Sequence, residues 1–116
     1  METRRKMQVA TKHIIKVSED FSPTPGARYY EDGDDSGQEF YDKCLKIAFS
    51  SALSDNERLI IDLDGTEGYA TSFLDEAFVR LVKDFSKSVV LNNIEIISEE
   101  EPDWIDEIKS YINEAD

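Results

Sequence analysis

Apolar residues recur along the chain in two rhythms. Leu59, Ile60, Ile61 and Leu63 form a short run that does not alternate cleanly. That pattern predicts a buried strand covered on both faces. Residues 12–18 and 94–98 are rich in isoleucine and valine and predict two further strands. Phe40, Tyr41, Cys44, Leu45, Ala48, Phe49, Ala52 and Leu53 recur at three- and four-residue spacing, which predicts a helix running to about Leu53. Ser36, with Glu39 three residues on, reads as its capping box. A second helix starts at Thr71 or Ser72, either of which can cap it. Leu74, Ala77, Phe78, Leu81, Val82 and Phe85 line its core side, while Asp75, Glu76, Arg80, Lys83 and Asp84 face outward. Pro102 opens a last helix, whose stripe is Trp104 or Ile105, then Ile108, Tyr111 and Ile112. Tyr29 and Tyr30 add a short edge strand.

The alternation of strands and helices implies an α/β fold. The expected architecture is a small sheet of about four strands, partly parallel, packed with three helices in one domain at 12–116. A loose arm at 1–11 precedes it, and its basic cluster Arg4, Arg5, Lys6 reads as a solvated end.

Charge narrows the partners. Thirteen basic against twenty-six acidic residues leave a net charge of −13. Such a chain repels phosphate backbones and anionic lipid, so neither nucleic acid nor a membrane is the expected partner. No apolar run reaches spanning length, and the first ten residues lack the apolar centre of a signal peptide. The single cysteine, Cys44, cannot form an internal disulfide, and the expected compartment is the cytoplasm. Cys44 falls on an apolar helix face and reads as a small core residue. The lone histidine, His13, rules out a histidine dyad within one chain and reads as a surface or strand-edge residue. Neither a metal nor a cofactor is expected.

Candidate chemistry gathers beyond the central strand. Asp62 and Asp64 sit near its C-terminal end, the edge at which open α/β sheets meet ligands. The loop at 21–30 carries Pro23, Pro25 and Gly26, which force an extended and then turning backbone. Such a loop could hold Arg28 toward a phosphate or carboxylate, or Arg28 could pair with nearby acids. Asp32, Asp34 and Ser36 have the spacing of a calcium loop, but Lys43 stands at the twelfth position, where a bidentate carboxylate is required.

Two resemblances compete for the central motif. Ile60-Ile61-Asp62-Leu63-Asp64-Gly65-Thr66 resembles the nucleophile motif of haloacid-dehalogenase-type phosphatases. That resemblance implies a magnesium-dependent phosphatase with Asp62 as nucleophile and Asp64 as general acid, Ser98 and Lys109 standing for its later motifs. Here, though, more than half the chain precedes the motif, and no later strand ends in paired aspartates.

The other resemblance uses more of the chain. It rests on Ser22-Pro-Thr-Pro-Gly-Ala-Arg28-Tyr29, on Asp32-Gly33, Ser36-Gly37 and Glu39-Phe40, on Asp62-Leu63-Asp64-Gly65 and Gly68-Tyr69, and on Ser72 through Phe78. Together these blocks resemble a bacterial STAS-like domain family of unknown function, over about residues 14–112. The family looks like a divergent relative of STAS domains and anti-sigma factor antagonists. The resemblance implies a non-enzymatic protein-interaction module partnering a histidine-kinase-like ATPase or a related regulator. In the antagonists a loop Asp-Ser-Ser-Gly at a helix start carries a phosphorylated serine, and residues 70–73 fall over it. Thr71 then matches the phosphoacceptor and Ser72 its neighbour, while Ala70 replaces the acid and Phe73 the glycine. The implied contact surface spans 65–76 and takes in Gly68, Tyr69, Phe73 and Glu76, flanked by Arg28 and Ser36. An Arg28–Glu76 salt bridge is the structural alternative to a contact role for that pair.

Overall fold

The computed structural model describes residues 13–115. The arm at 1–11, including Arg4, Arg5 and Lys6, lies outside the described residues. Three short strands, β1 (Ile14–Lys16), β2 (Leu59–Asp62) and β3 (Ile94–Ile97), form one sheet in the order β1-β2-β3. Both pairings are parallel, with Ile15 opposite Ile61 and Ile61 opposite Ile96. A four-residue helical turn, α1 (Val17–Asp20), follows β1 directly. After the proline loop, α2 (Gly37–Phe40), a π-helical turn (Tyr41–Leu45) and α3 (Lys46–Ser54) follow one another without a break. Next after β2 come α4 (Thr71–Phe85) and α5 (Lys87–Asn93), and β3 leads into α6 (Asp103–Glu114).

Among the described residues the sheet has three strands rather than four and is wholly parallel, and α1 and α5 add to the three expected helices. Tyr30–Asp32 is a single 3-10 turn, so the edge strand expected at Tyr29–Tyr30 is absent. Its cause is local: Asp32 accepts the Tyr29 amide at 3.3 Å and Gln38 accepts the Tyr30 amide at 3.0 Å, which turns the backbone away from the sheet. β1 is also shorter than 12–18, because Val17 starts a helical turn and Asp20 accepts the Lys16 amide at 2.8 Å. The helix α5 was not apparent from the apolar pattern, since Val90 is its only buried residue.

Right-handed crossovers in a sheet ordered 1-2-3 put the connecting helices on one face. Burial agrees. Ile15, Leu59, Ile61, Leu63 and Ile94 are buried against the helices, while Ile14 and Glu95 are exposed and Ile60, Asp62 and Ile97 are half-buried. Leu59–Leu63 therefore alternates after all, and the expected two-sided cover of β2 is corrected to one side among the described residues. The core is completed by the predicted helix faces, with Phe40, Leu45, Phe49, Leu74, Ala77, Phe78, Leu81, Ile108 and Ile112 all buried. Among the described residues no helix is long and apolar enough to cross a membrane.

In this core α2 packs closely on α4. A Cβ built on Gly37 would lie 2.5 Å from the Phe73 carbonyl oxygen and 3.1 Å from its Cα. Those are backbone atoms, so the helices would have to move apart. Gly37→Ala is expected to cost about 1–3 kcal/mol of stability, the usual range for overpacking, read by urea denaturation; an unchanged midpoint would show that α2 shifts freely.

Candidate functional site

The site is built where β2 and β3 end. Beyond β2 the Leu63 amide donates to the Ile97 carbonyl at 2.8 Å, extending the ladder by one bond. Asp64 then turns back, and its two carboxylate oxygens accept the Glu99 and Glu100 amides at 3.0 and 2.9 Å. The Gly65 amide returns a bond to the Glu100 carboxylate at 3.0 Å. These contacts clip the two strand ends together, and the bonds from the Glu100 and then the Glu99 backbone hold the Asp64 carboxyl below its ordinary pKa. Asp62 accepts the Asp64 amide at 3.0 Å and faces the Lys16 ammonium at 3.4 Å. Gly65 sits at φ +95°, a backbone region that excludes most side chains.

Both Asp64 oxygens thus serve the backbone, which is poor preparation for a general acid. The cation beside Asp62 is Lys16, whereas Lys109 lines a groove with Arg58 and Ile94. Ser98 is buried and donates to the Glu101 carbonyl at 2.6 Å. Among the described residues no cluster of three or more acidic, histidine or cysteine side chains could hold a metal ion.

A second layer joins three segments on this end. The Glu67 amide donates to the Pro23 carbonyl at 2.9 Å, tying the proline loop to the loop after β2. The Gly37 and Gln38 amides donate to the Ala27 and Arg28 carbonyls at 2.8 and 2.9 Å. Arg28 donates to Asp75 on α4 at 2.8 Å and lies 3.9 Å from Glu76. Its guanidinium pKa is raised, chiefly by the hydrogen bond to Asp75. The proline loop, the start of α2 and the start of α4 therefore form one connected surface.

Tyr69 and Phe73 support it from below. The Tyr69 hydroxyl donates to the Leu63 carbonyl at 2.9 Å, and its ring stands edge-on to Trp104 with centroids 4.7 Å apart. Burial raises the Tyr69 pKa, so the phenol stays a donor. Phe73 is fully buried, with the rings of Phe40, Tyr69 and Phe21 at 5.6, 5.7 and 6.2 Å.

At the start of α4 the capping residue is Ala70, not Thr71 or Ser72, and it supplies no side-chain cap. The Phe73 and Leu74 amides both turn back to the Ala70 carbonyl, at 3.1 and 3.3 Å. Thr71 and Ser72 become the first two helical residues, Thr71 exposed and Ser72 half-buried. Neither hydroxyl has a hydrogen-bond partner among the described residues. The spacing Ser72–Asp75 makes no capping box because Asp75 is bound to Arg28.

With this geometry, a family model described as a STAS-like domain of unknown function (DUF4325) matches residues 36–104, more than half of the chain. The chain belongs to that family. No curated protein and no solved structure matches it. Within the STAS-like domain the matched stretch runs from Ser36 to Trp104 and so contains the strand end, the loop and all of α4. The proline loop with Arg28 lies before the matched residues, yet the structure attaches it to them through Asp75.

Several sequence expectations change here. Glu76, placed on the outer face by periodicity, is 8% exposed and paired to Arg80 at 2.7 Å. The Arg28–Glu76 bridge exists, but Asp75 is the nearer partner. Ser36 caps α2 by accepting the Glu39 amide at 3.0 Å and is fully buried; Glu39 does not complete the box and pairs with Lys43 at 2.9 Å instead. Ser36, Phe73 and Glu76 therefore shape the surface from beneath, while Arg28, Gly68, Tyr69, Thr71 and Ser72 keep exposed area. His13 is buried rather than superficial, bonded to Asp55 at 2.9 Å. Cys44 is half-buried and burial raises its thiol pKa, in keeping with a packing role. Sequence reasoning passed over Lys16, the partner of Asp62, and Trp104, the backing of Tyr69; Trp104 was legible only as one of two choices for a core stripe.

The clip has a measurable pH signature. Asp64 has a depressed folded-state pKa, so the unfolded chain binds its proton more readily. Its contribution is complete above the ordinary carboxylate range, near pH 4, and is lost as pH falls through the folded pKa. Asp64→Ala is expected to destabilise by about 1 kcal/mol at neutral pH, small because the group faces water. The difference from wild type should vanish in acid. Equal stabilities at neutral pH, compared by urea denaturation, would show that the clip contributes nothing.

Proposed function

We propose that this STAS-like domain is a non-enzymatic regulatory module that docks a histidine-kinase-like ATPase or related regulator in the cytoplasm, with neither nucleic acid nor membrane as partner. It docks through the face bearing Arg28, Gly68, Tyr69, Thr71 and Ser72. Phosphorylation at Thr71 or Ser72 releases the partner. The observation that carries this reading is the uncapped start of α4, where two hydroxyls without a hydrogen-bond partner among the described residues stand on a cross-tied platform.

Charge supports the switch. A phosphate at a helix start meets unpaired backbone N–H groups and a favourable dipole. Glu67, Asp75 and Glu76 would oppose it, and of these Asp75 and Glu76 are paired with Arg28 and Arg80. The domain can therefore take the modification without unfolding, while a partner pressed on the same face meets about two new negative charges. The test is mass-spectrometric mapping of the protein recovered from its own cells. Phosphate on Thr71 or Ser72 is the expected result; a chain phosphorylated only elsewhere, or not at all under any growth condition, removes the switch.

A further inference from the structure

We propose that the outer edge of β3 is a second docking site, for an extended peptide segment that adds as a fourth strand and carries a carboxylate toward Lys109. It shares no residue with the α4 face, so either site can fail without the other.

The ladder sets the geometry. The Leu63 amide bonds the Ile97 carbonyl, and in a parallel ladder the residues that bond one neighbour alternate. Glu95 and Ile97 thus turn their backbone groups toward β2, and Ile94 and Ile96 turn theirs outward. The Ile94 carbonyl is taken by Arg58 at 3.0 Å. The outward N–H and C=O of Ile96 have no partner among the described residues. At the opposite edge Asp20 takes the outward Lys16 amide.

Beside this edge runs a groove of about 320 Å³, with Leu91, Ile94, Ile96 and Ile105 as its apolar wall. Its charged residues among those described are Arg58, Lys109 and Glu95, two basic to one acidic in a chain with 13 basic and 26 acidic residues. Lys109 is exposed and has no ion-pair partner among the described residues. Unpaired strand backbone gives an added strand its affinity, and alternate side-chain pockets give it selectivity. An apolar side chain entering between Ile96 and Ile105, with a carboxylate beside Lys109, satisfies all three features. A second copy of this chain fits poorly, since two chains of −13 would meet with their Glu95 side chains at the same edge.

The test is selection of random nonapeptides with free carboxyl termini against the whole immobilised protein, followed by affinity measurement for the enriched peptide and its C-terminally amidated form. Enriched peptides should alternate apolar residues around one carboxylate, and the amide shows whether that carboxylate is terminal or a side chain. Ile96→Pro removes the outward N–H, which the sheet's own ladder does not use, and should weaken binding about tenfold or more. Lys109→Glu, on the exposed side of α6, should weaken it about two- to fivefold, the scale of an exposed ion pair. No enrichment over an unrelated protein, unchanged binding in Lys109→Glu, or peptides displaced by Thr71→Glu instead would overturn the proposal. So would a dimer abolished by Ile96→Pro, since the occupant would then be a second copy.

Discussion

Phe73→Ala should remove about 3–5 kcal/mol of folding stability, the cost of deleting a fully buried phenylalanine. Phe73 is the third residue of α4, it is inaccessible to water, and three aromatic rings surround it. Truncation removes contacts to α2 through Phe40, to the loop after β2 through Tyr69, and to the start of the proline loop through Phe21. These are the parts the candidate site must hold together. Small domains have only about 5–15 kcal/mol in total, so the variant should be substantially less stable, melting some 15 °C or more lower by circular dichroism. A loss below about 1 kcal/mol would mean that the cluster relaxes into the space, and that the α4 start is not rigidly seated.

Thr71→Glu is expected to do the reverse, leaving the fold intact and disabling the surface. The side chain is exposed, makes no hydrogen bond among the described residues, and sits at the first helical position, where a negative charge is tolerated or favoured. Melting should shift by no more than about 0.5 kcal/mol equivalent, as for a surface substitution. Partner affinity should fall tenfold or more, since an uncompensated charge at a closed interface costs a few kcal/mol. Thr71→Ala should bind like wild type. Titration calorimetry with the purified partner reads both. Equal affinity for Thr71→Glu would leave docking elsewhere and no charge switch.

Much of this domain was legible because its helices are amphipathic and its strands β-branched. The α4 stripe from Leu74 to Val82 and the α6 pair Ile108 and Ile112 are buried as periodicity predicts. Periodicity counts only apolar positions, however, and so it misplaced Glu76. That carboxylate is buried because Arg28, 48 residues earlier, and Arg80, one turn later, neutralise it. The same blindness hid α5, whose seven residues bury only Val90, and lent Tyr29–Tyr30 the look of a strand. At the site, the residues were legible but their tasks were not. Asp62-Leu63-Asp64-Gly65 reads locally as catalytic carboxylates. Which amides Asp64 binds depends on Glu99 and Glu100, across the sheet, and no local pattern encodes that. Likewise Ser72 and Thr71 suit a cap by composition, yet Ala70 holds the capping position, because the chain enters α4 one residue earlier.

The proposed function requires that a regulator docks on the start of α4 and is expelled by charge there. Its most direct test is parallel affinity capture from the lysate of the protein's own cells, with wild-type and Thr71→Glu baits quantified by mass spectrometry. A histidine-kinase-like ATPase or related regulator should be enriched on the wild-type bait and depleted on the variant. Recovery of no such protein, or equal recovery on both baits, would contradict it.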